Sequence, residues 1–380
     1  MPSVLLVAHT RLSFGYLLDH YRLLASDPRI RWAVTRARDD YAAGVEEMIE
    51  LSDLPRIPYC VAVRRRWDVA LFGTHGSEVF FAGARARVHI QHGVGAGKLV
   101  FGQDFTYGPR WTLWEGQPKY DLMLEASHHV RRQAIAGCPA LIPVITVVGD
   151  LRADQLLAAA SHRHAHRARL GLSPGDVAVL FMSTFGPHGL LGSGGLALID
   201  QTLRLGGPYR PLLTAHPHVW TGRHDHRRRL AAVLAPRQCD GLLVCGPYDE
   251  CAPYLAAADV AVVDHSSLGL YYALLGRPLA TVPVPARLVN PAAPLTILRS
   301  AAPVVDHPSG LAATLAAAVH RHDPAVAARV RPAVTSFPGQ AAARTRSVLY
   351  RVLGLPTDLW SAAKSASLSQ PSSPLAAPTR

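Results

Sequence analysis

Residues 259–278 read Asp259-Val-Ala-Val-Val-Asp264-His265-Ser266-Ser267-Leu-Gly-Leu-Tyr-Tyr-Ala-Leu-Leu-Gly276-Arg-Pro278. Four consecutive apolar residues between two aspartates predict a strand buried on both faces, as in a parallel sheet. A tight polar turn follows, then a helix that Gly276 closes as its C′ residue and that Pro278 stops from continuing. A strand passing straight into a helix is half of a β–α–β unit. The N–H groups at the turn, with the Ser266 and Ser267 hydroxyls, suit either of two uses. They cap the helix, or they hold an anion such as a phosphate, and both uses draw on the same donors. In an open α/β sheet this point lies outside a strand's carboxyl end, where ligands bind.

Working outward, the same grammar recurs along the chain. Val4–Ala8, Ile30–Thr35, Val69–Phe72, Arg87–Gln91, Leu122–Leu124 and Val144–Val148 have strand character. Phe14–Ala25 has helical apolar spacing, and Ser127 is placed to cap a helix ending near Gly137. A polar, basic helix over Arg152–Leu170 leads into a second cycle of strands. These are Val177–Met182, Pro211–Ala215, Leu242–Cys245, Val260–Asp264, Leu279–Val282 and Pro303–Asp306, with helices such as Leu196–Leu205 and His226–Leu234 between them. The last helix is Ala341–Leu353. The prediction is an α/β protein of two Rossmann-type doubly wound domains, residues 1–155 and 156–355. Residues 361–380, rich in Ser, Ala and Pro without periodicity, are expected to be a disordered tail.

Composition agrees. The chain has 380 residues, 49% of them apolar and 17% charged, enough for two cores and too apolar for a disordered chain. No apolar run is long enough to span a bilayer, and Val4–Ala8 is too short for a signal sequence, so a cytosolic protein is expected. Five cysteines form no Cys-x-x-Cys pair, which argues against structural zinc and for reduced thiols. Alternating His162, His164 and His166 read as a solvated basic face rather than metal ligands, and no metal site is expected. Thirty-nine basic against 27 acidic residues give a net charge of +12. The excess gathers at Arg64–Arg66, His162–Arg169 and Arg223–Arg229 and implies an anionic partner. Nucleic acid is not expected, because no RNA-binding aromatic pattern, helix-turn-helix or zinc knuckle is present.

Two further strand ends carry histidines. Ile90-Gln91-His92-Gly93-Val94-Gly95-Ala96-Gly97-Lys98 has three glycines in five residues, which let backbone approach a ligand. It is neither a Walker A loop nor a dinucleotide fingerprint. Leu212-Leu213-Thr214-Ala215-His216-Pro217 also ends in His, and Pro217 keeps His216 extended. His92, His216 and Ser266/Ser267 thus come from three strand ends in two halves, as an interdomain cleft requires.

Together these residues resemble the CDP-glycerol glycerophosphotransferases, the teichoic-acid polymerase and primase family of the GT-B fold. The family's His-Gly loop with a Lys resembles His92-Gly93 with Lys98. Its Gly-x-x-Arg-x-Asp segment resembles Gly149, Arg152 and Asp154. Its Arg-x-His-Pro strand end is similar to Thr214-Ala215-His216-Pro217, and its Thr-Asp-Tyr-Ser-Ser turn to Val263-Asp264-His265-Ser266-Ser267. The four motifs run in the family's order over roughly residues 75 to 285. Thr214 stands where the family has Arg, and Tyr271 where it has an acidic residue.

The resemblance implies a GT-B-like fold, with an acceptor-side first domain and a nucleotide-binding second domain. It implies transfer of glycerol phosphate, or a related polyol phosphate, from a CDP-linked donor to an acceptor hydroxyl, with release of CMP. The product would be a teichoic-acid-like cell-wall polymer. His92 would be the general base and His216 the second catalytic residue. Gly93, Lys98, Arg152, Asp264, Ser266 and Ser267 would bind substrate, and no cofactor is implied. A lipid-linked acceptor would place the protein peripherally on an anionic membrane surface. A GT-B glycosyltransferase using a nucleotide sugar is the alternative. A serine hydrolase built on His265-Ser266-Ser267-Leu268-Gly269 is weaker, because adjacent Asp306 and His307 cannot easily serve one triad.

Overall fold

The structure, a computed structural model, describes residues 1–94, 99–100, 103–104, 106–220, 226–247 and 249–356. The expected tail and Lys98 lie outside the described residues.

The first half contains strands β1 (Ser3–Ala8), β2 (Arg31–Arg36), β3 (Trp67–Phe72) and β4 (Ala84–Ile90). Two short hairpins follow, β5 (Leu99–Val100) with β6 (Gln103–Asp104) and β7 (Leu113–Trp114) with β8 (Gln117–Pro118). Strands β9 (Leu122–Glu125) and β10 (Ile145–Val147) complete a six-stranded parallel sheet of order β10-β9-β4-β3-β1-β2. The second half contains β11 (Val177–Ser183), β12 (Tyr209–Ala215), β13 (Leu243–Val244), β14 (Val260–Val263) and β15 (Leu279–Thr281). They form a five-stranded parallel sheet of order β13-β12-β11-β14-β15. Every strand of the sequence reading except the last is present. Pro303–Asp306 contributes only a bridge from Val304 to Thr281.

Parallel strands need crossovers, and the helices that make them cover both faces of each sheet. The uninterrupted apolar runs Val4–Ala8 and Val260–Val263 are therefore buried throughout. Each sheet reverses its winding once, between β1 and β3 in the first and between β11 and β14 in the second. These switch points open a crevice at the strand ends, where ligands of such folds bind.

The basic segment after residue 151 is two helices, Leu151–Ser161 and Arg163–Arg169, broken at His162. The break lets Arg163 and Arg167 both reach Asp259. Arg167 is buried and also bonds the carbonyls of Ala257, Ser173 and Asp176. Two charges of this basic run thus serve the fold rather than solvent.

The chain crosses between the halves twice. At the first crossing Gly149 adopts φ +98°, and a Cβ there would lie 3.0 Å from that of Ala341. At the second, the final helix Ala341–Leu353 returns to the first sheet, where Leu349, Tyr350 and Leu353 pack in one core with Val4, Leu6, Val69 and Leu71. Asp154 bonds the two crossings together, accepting the N–H groups of Gly339 (2.6 Å) and Ala341 (2.9 Å).

Candidate functional site

The turn after β14 is built around Asp264. Its carboxylate is fully buried and accepts three backbone N–H groups, from Thr184 (2.8 Å), Leu190 (2.6 Å) and Ser266 (2.7 Å). Asp264 thereby ties the loop after β11 to the turn after β14, across the switch point. Arg299 donates to the Asp264 carbonyl (3.0 Å) and anchors the turn from behind. Ser266 Oγ accepts the Leu268 N–H at 3.3 Å. Ser267 precedes the short helix Leu268–Ala273, and its hydroxyl makes no capping bond. Gly276 has φ +62°, as its predicted closing role requires.

The loop after β4 reaches this turn from the other half. Gly93 has φ +114°, and a Cβ there would sit 3.7 Å from Ser267 Oγ and 3.8 Å from Tyr16 Oη. Val94 enters the apolar core that also holds Leu270 and Tyr271 of the second half. His92, Gly93, Ser266 and Ser267, far apart in sequence, are therefore neighbours in the cleft.

The hydrogen-bond partners of His92 and His216 decide their tautomers. His92 Nδ1 lies against the carbonyl oxygen of Gly73, which can only accept. In the neutral ring the proton is therefore on Nδ1, which leaves the lone pair on Nε2. Gly73 has no room for a side chain, because a Cβ would meet Ser13 O at 2.6 Å. His216 is the reverse case. Its Nδ1 accepts the His218 N–H at 3.1 Å, which leaves the proton of the neutral ring on Nε2. In their neutral forms the first imidazole offers an acceptor at Nε2 and the second a donor.

Arg152 is held by the fold. Its Nε bonds Asp19 (2.9 Å), and its guanidinium lies 3.6 Å from the centroid of the Tyr16 ring. Tyr16 Oη is 3.4 Å from Tyr271 Oη, and Tyr271 donates to Asp150 Oδ2 at 2.7 Å. Burial raises Tyr16 to about 12 and Asp150 to about 6. Thr214, where the resemblance calls for Arg, is buried.

The strand-end rule that singled out His92 and His216 applies equally to His9, which the sequence reading passed over. His9 follows β1 directly at the first switch point. Its Nε2 is 2.7 Å from Ser77 Oγ and its Nδ1 is 3.2 Å from Val7 O. Burial lowers its pKa, which favours the neutral ring. Phe185, His218 and Tyr41 were also missed. They form an aromatic group around His216, and no local pattern announces it.

Among the described residues no group of three His, Cys, Asp or Glu could hold a metal ion, and no helix is long and apolar enough to cross a membrane. No family model and no curated protein matches the chain in sequence. Solved structures do match in fold. The wall teichoic acid polymerase TagF superposes with a TM-score of 0.64 at 13% identity, over 92% of this chain and 89% of that one. A complex of S. aureus MnaA with UDP gives 0.58 at 11% identity, over 94% and 98%. A putative UDP-N-acetylglucosamine 2-epimerase from Listeria monocytogenes gives 0.57 at 13% identity, over 92% and 96%. The architecture is accordingly that of the GT-B fold, two Rossmann-like domains facing each other across a cleft.

Proposed function

We propose that this chain is a transferase that moves a polyol-phosphate group, glycerol phosphate in the first instance, from a CDP-linked donor to an acceptor hydroxyl. The observation that carries the reading is the opposite tautomers of two strand-end imidazoles, one from each half, His92 accepting and His216 donating at Nε2 in the neutral ring. In the proposed reaction His92 takes the acceptor's proton as its oxygen attacks the polyol-bearing phosphorus. The bond from that phosphorus to the bridging oxygen breaks, and CMP departs with the electron pair. The His216 Nε2–H donates to the departing phosphate.

Ser266 and Ser267 supply hydroxyls to the pyrophosphate, and Gly93 leaves space for it beside Ser267. Asp264 and Arg152 act from behind, the first by fixing the turn and the second by joining the halves through Asp19. Lys98, outside the described residues, is proposed to add positive charge a few positions after Gly93 in the chain. The fold shared with TagF supports the reading, since one TagF structure is described as soaked with CDPG. A lipid-linked acceptor at an anionic membrane surface completes the proposal. Flotation with anionic but not neutral liposomes is the expected result.

The second reading is a glycosyltransferase acting on a nucleotide sugar. Thr214 and Tyr271, which depart from the glycerophosphotransferase pattern, favour it, as does the fold shared with a UDP complex. A panel of CDP-polyols and UDP-sugars, assayed for released CMP against released UDP, decides between them. CMP from a CDP-polyol supports the first reading, and UDP alone sinks it.

A further inference from the structure

His216 does not stand alone at the end of β12. Its ring centroid is 4.8 Å from that of Phe185 and 4.7 Å from that of His218, with interplanar angles of 45° and 58°. The imidazole thus sits in the angle between two other rings. His218 also supplies the backbone N–H that sets the His216 tautomer. The orientation of His216 therefore depends on where His218 is held.

His218 is held from the opposite half of the molecule. Tyr41 stacks on it at 4.7 Å with only 21° between the planes, and Phe185 meets its edge at 5.1 Å and 78°. Tyr41 also lies 5.9 Å from Phe185. It belongs to the loop between β2 and the helix Val45–Glu50, and its N–H bonds the Asp39 carboxylate at 2.8 Å, which fixes the turn that presents it. Its side chain serves no core, since 52% of the residue is exposed. An aromatic ring left this open, yet stacked across a cleft, contributes chiefly through that stack.

We propose that Tyr41 is a positioning residue for His216, delivered by the first domain and acting through the His218 ring. It rests on the reading of His216 as the donor-side imidazole. With the halves together, Tyr41 clamps His218, and His218 seats His216 with Nε2–H toward the donor. With the halves apart, the Tyr41 stack is lost, the His218 ring loses its restraint from the first half, and His216 is seated less firmly. Seating of the donor-side imidazole is thereby conditional on closure of the cleft.

The test is nitrogen-15 NMR of the histidine rings in the full chain, with and without CDP, with His216 identified by its loss in His216→Gln. Tyr41→Phe, which keeps the ring, should give the same Nδ1 and Nε2 shifts for His216 as the unmodified protein. Tyr41→Leu, which keeps apolar bulk without a ring, should move both shifts toward the average of the two tautomers. Turnover should fall about tenfold to a hundredfold with Leu and be retained with Phe. His216 shifts unchanged in Tyr41→Leu under both conditions would overturn the proposal. The shifts report ring position without any donor. Absence of CMP release from every CDP-polyol, with the shifts behaving as expected, would therefore count against the transferase reading and not against this one.

Discussion

Tyr271 donates its hydroxyl to the Asp150 carboxylate at 2.7 Å, across 121 residues of sequence. The resemblance places an acidic residue at position 271. Here the carboxylate comes instead from the first crossing between the halves, and a phenol faces it. The exchange keeps one acid in the pocket and adds a second link, to Tyr16 at 3.4 Å. Tyr271→Phe should cost about 1–3 kcal/mol, because it leaves a buried carboxylate oxygen without its donor. Denaturant titration reads the loss. Tyr271→Asp should be worse above pH 6, where two buried carboxylates would face each other.

The same pair gives stability a pH dependence. Burial raises Asp150 from 3.8 to about 6 in the folded chain. Between those values the folded state binds the proton that the unfolded chain has released. This contribution is therefore fully present below about pH 4 and is lost as pH rises through about 6. Asp150→Asn keeps an oxygen for the Ala153 N–H, turns an amide NH2 toward the Tyr271 hydroxyl, and does not titrate. Melting temperatures of the variant should decline less than those of the parent over that range. Parallel curves would exclude Asp150 as the cause.

Glu125 extends the effect upward. It is fully buried at the end of β9, accepts the Tyr107 hydroxyl at 2.7 Å, and is pushed by burial from 4.5 to about 8. Its contribution should be lost between about pH 4.5 and 8. Glu125→Gln should flatten thermal stability over that interval, and an unchanged slope would contradict the assignment.

If His92 is the base, His92→Ala should lower kcat by about 10²–10⁴ and leave CDP affinity nearly intact. A ring that merely braces the loop gives another pattern, with stability and CDP binding falling together. Gly73→Ala attacks the same residue indirectly. Its Cβ would collide with Ser13 and displace the carbonyl that fixes the His92 tautomer. A loss of about 1–3 kcal/mol is expected, with turnover falling further than stability alone explains.

Replacing Ser266 and Ser267 together by Ala should weaken CDP binding by about tenfold or more and leave cytidine binding almost unchanged. Calorimetric titration with both ligands separates this from loss of a cap, which costs about 1 kcal/mol of stability without altering ligand preference.

What the sequence disclosed follows the range of the forces involved. Val260–Val263 and Val4–Ala8 are readable because a strand buried on both faces must be continuously apolar, and Gly276 because a helix end needs a residue tolerant of φ +62°. His92 and His216 are readable because they end such strands. Arg152 with Asp19, Tyr271 with Asp150 and Tyr41 with His218 are not. Each joins residues more than a hundred positions apart, and no periodicity records which loop will face which. The break at His162 is hidden for the same reason, since Asp259 lies almost a hundred residues beyond it.

The return of the final helix to the first sheet sets the mechanics of the molecule. A single tether would leave the halves free to swivel. Two tethers, stitched together by Asp154, resist that swivel at the seam where they meet. Any opening of the cleft would then pivot at this seam. Severing the chain after residue 155 would also strip the cover from Val4, Leu6, Val69 and Leu71. The amino-terminal half would be left with a bare apolar face, so its folded state and the hinge depend on the same thirteen residues.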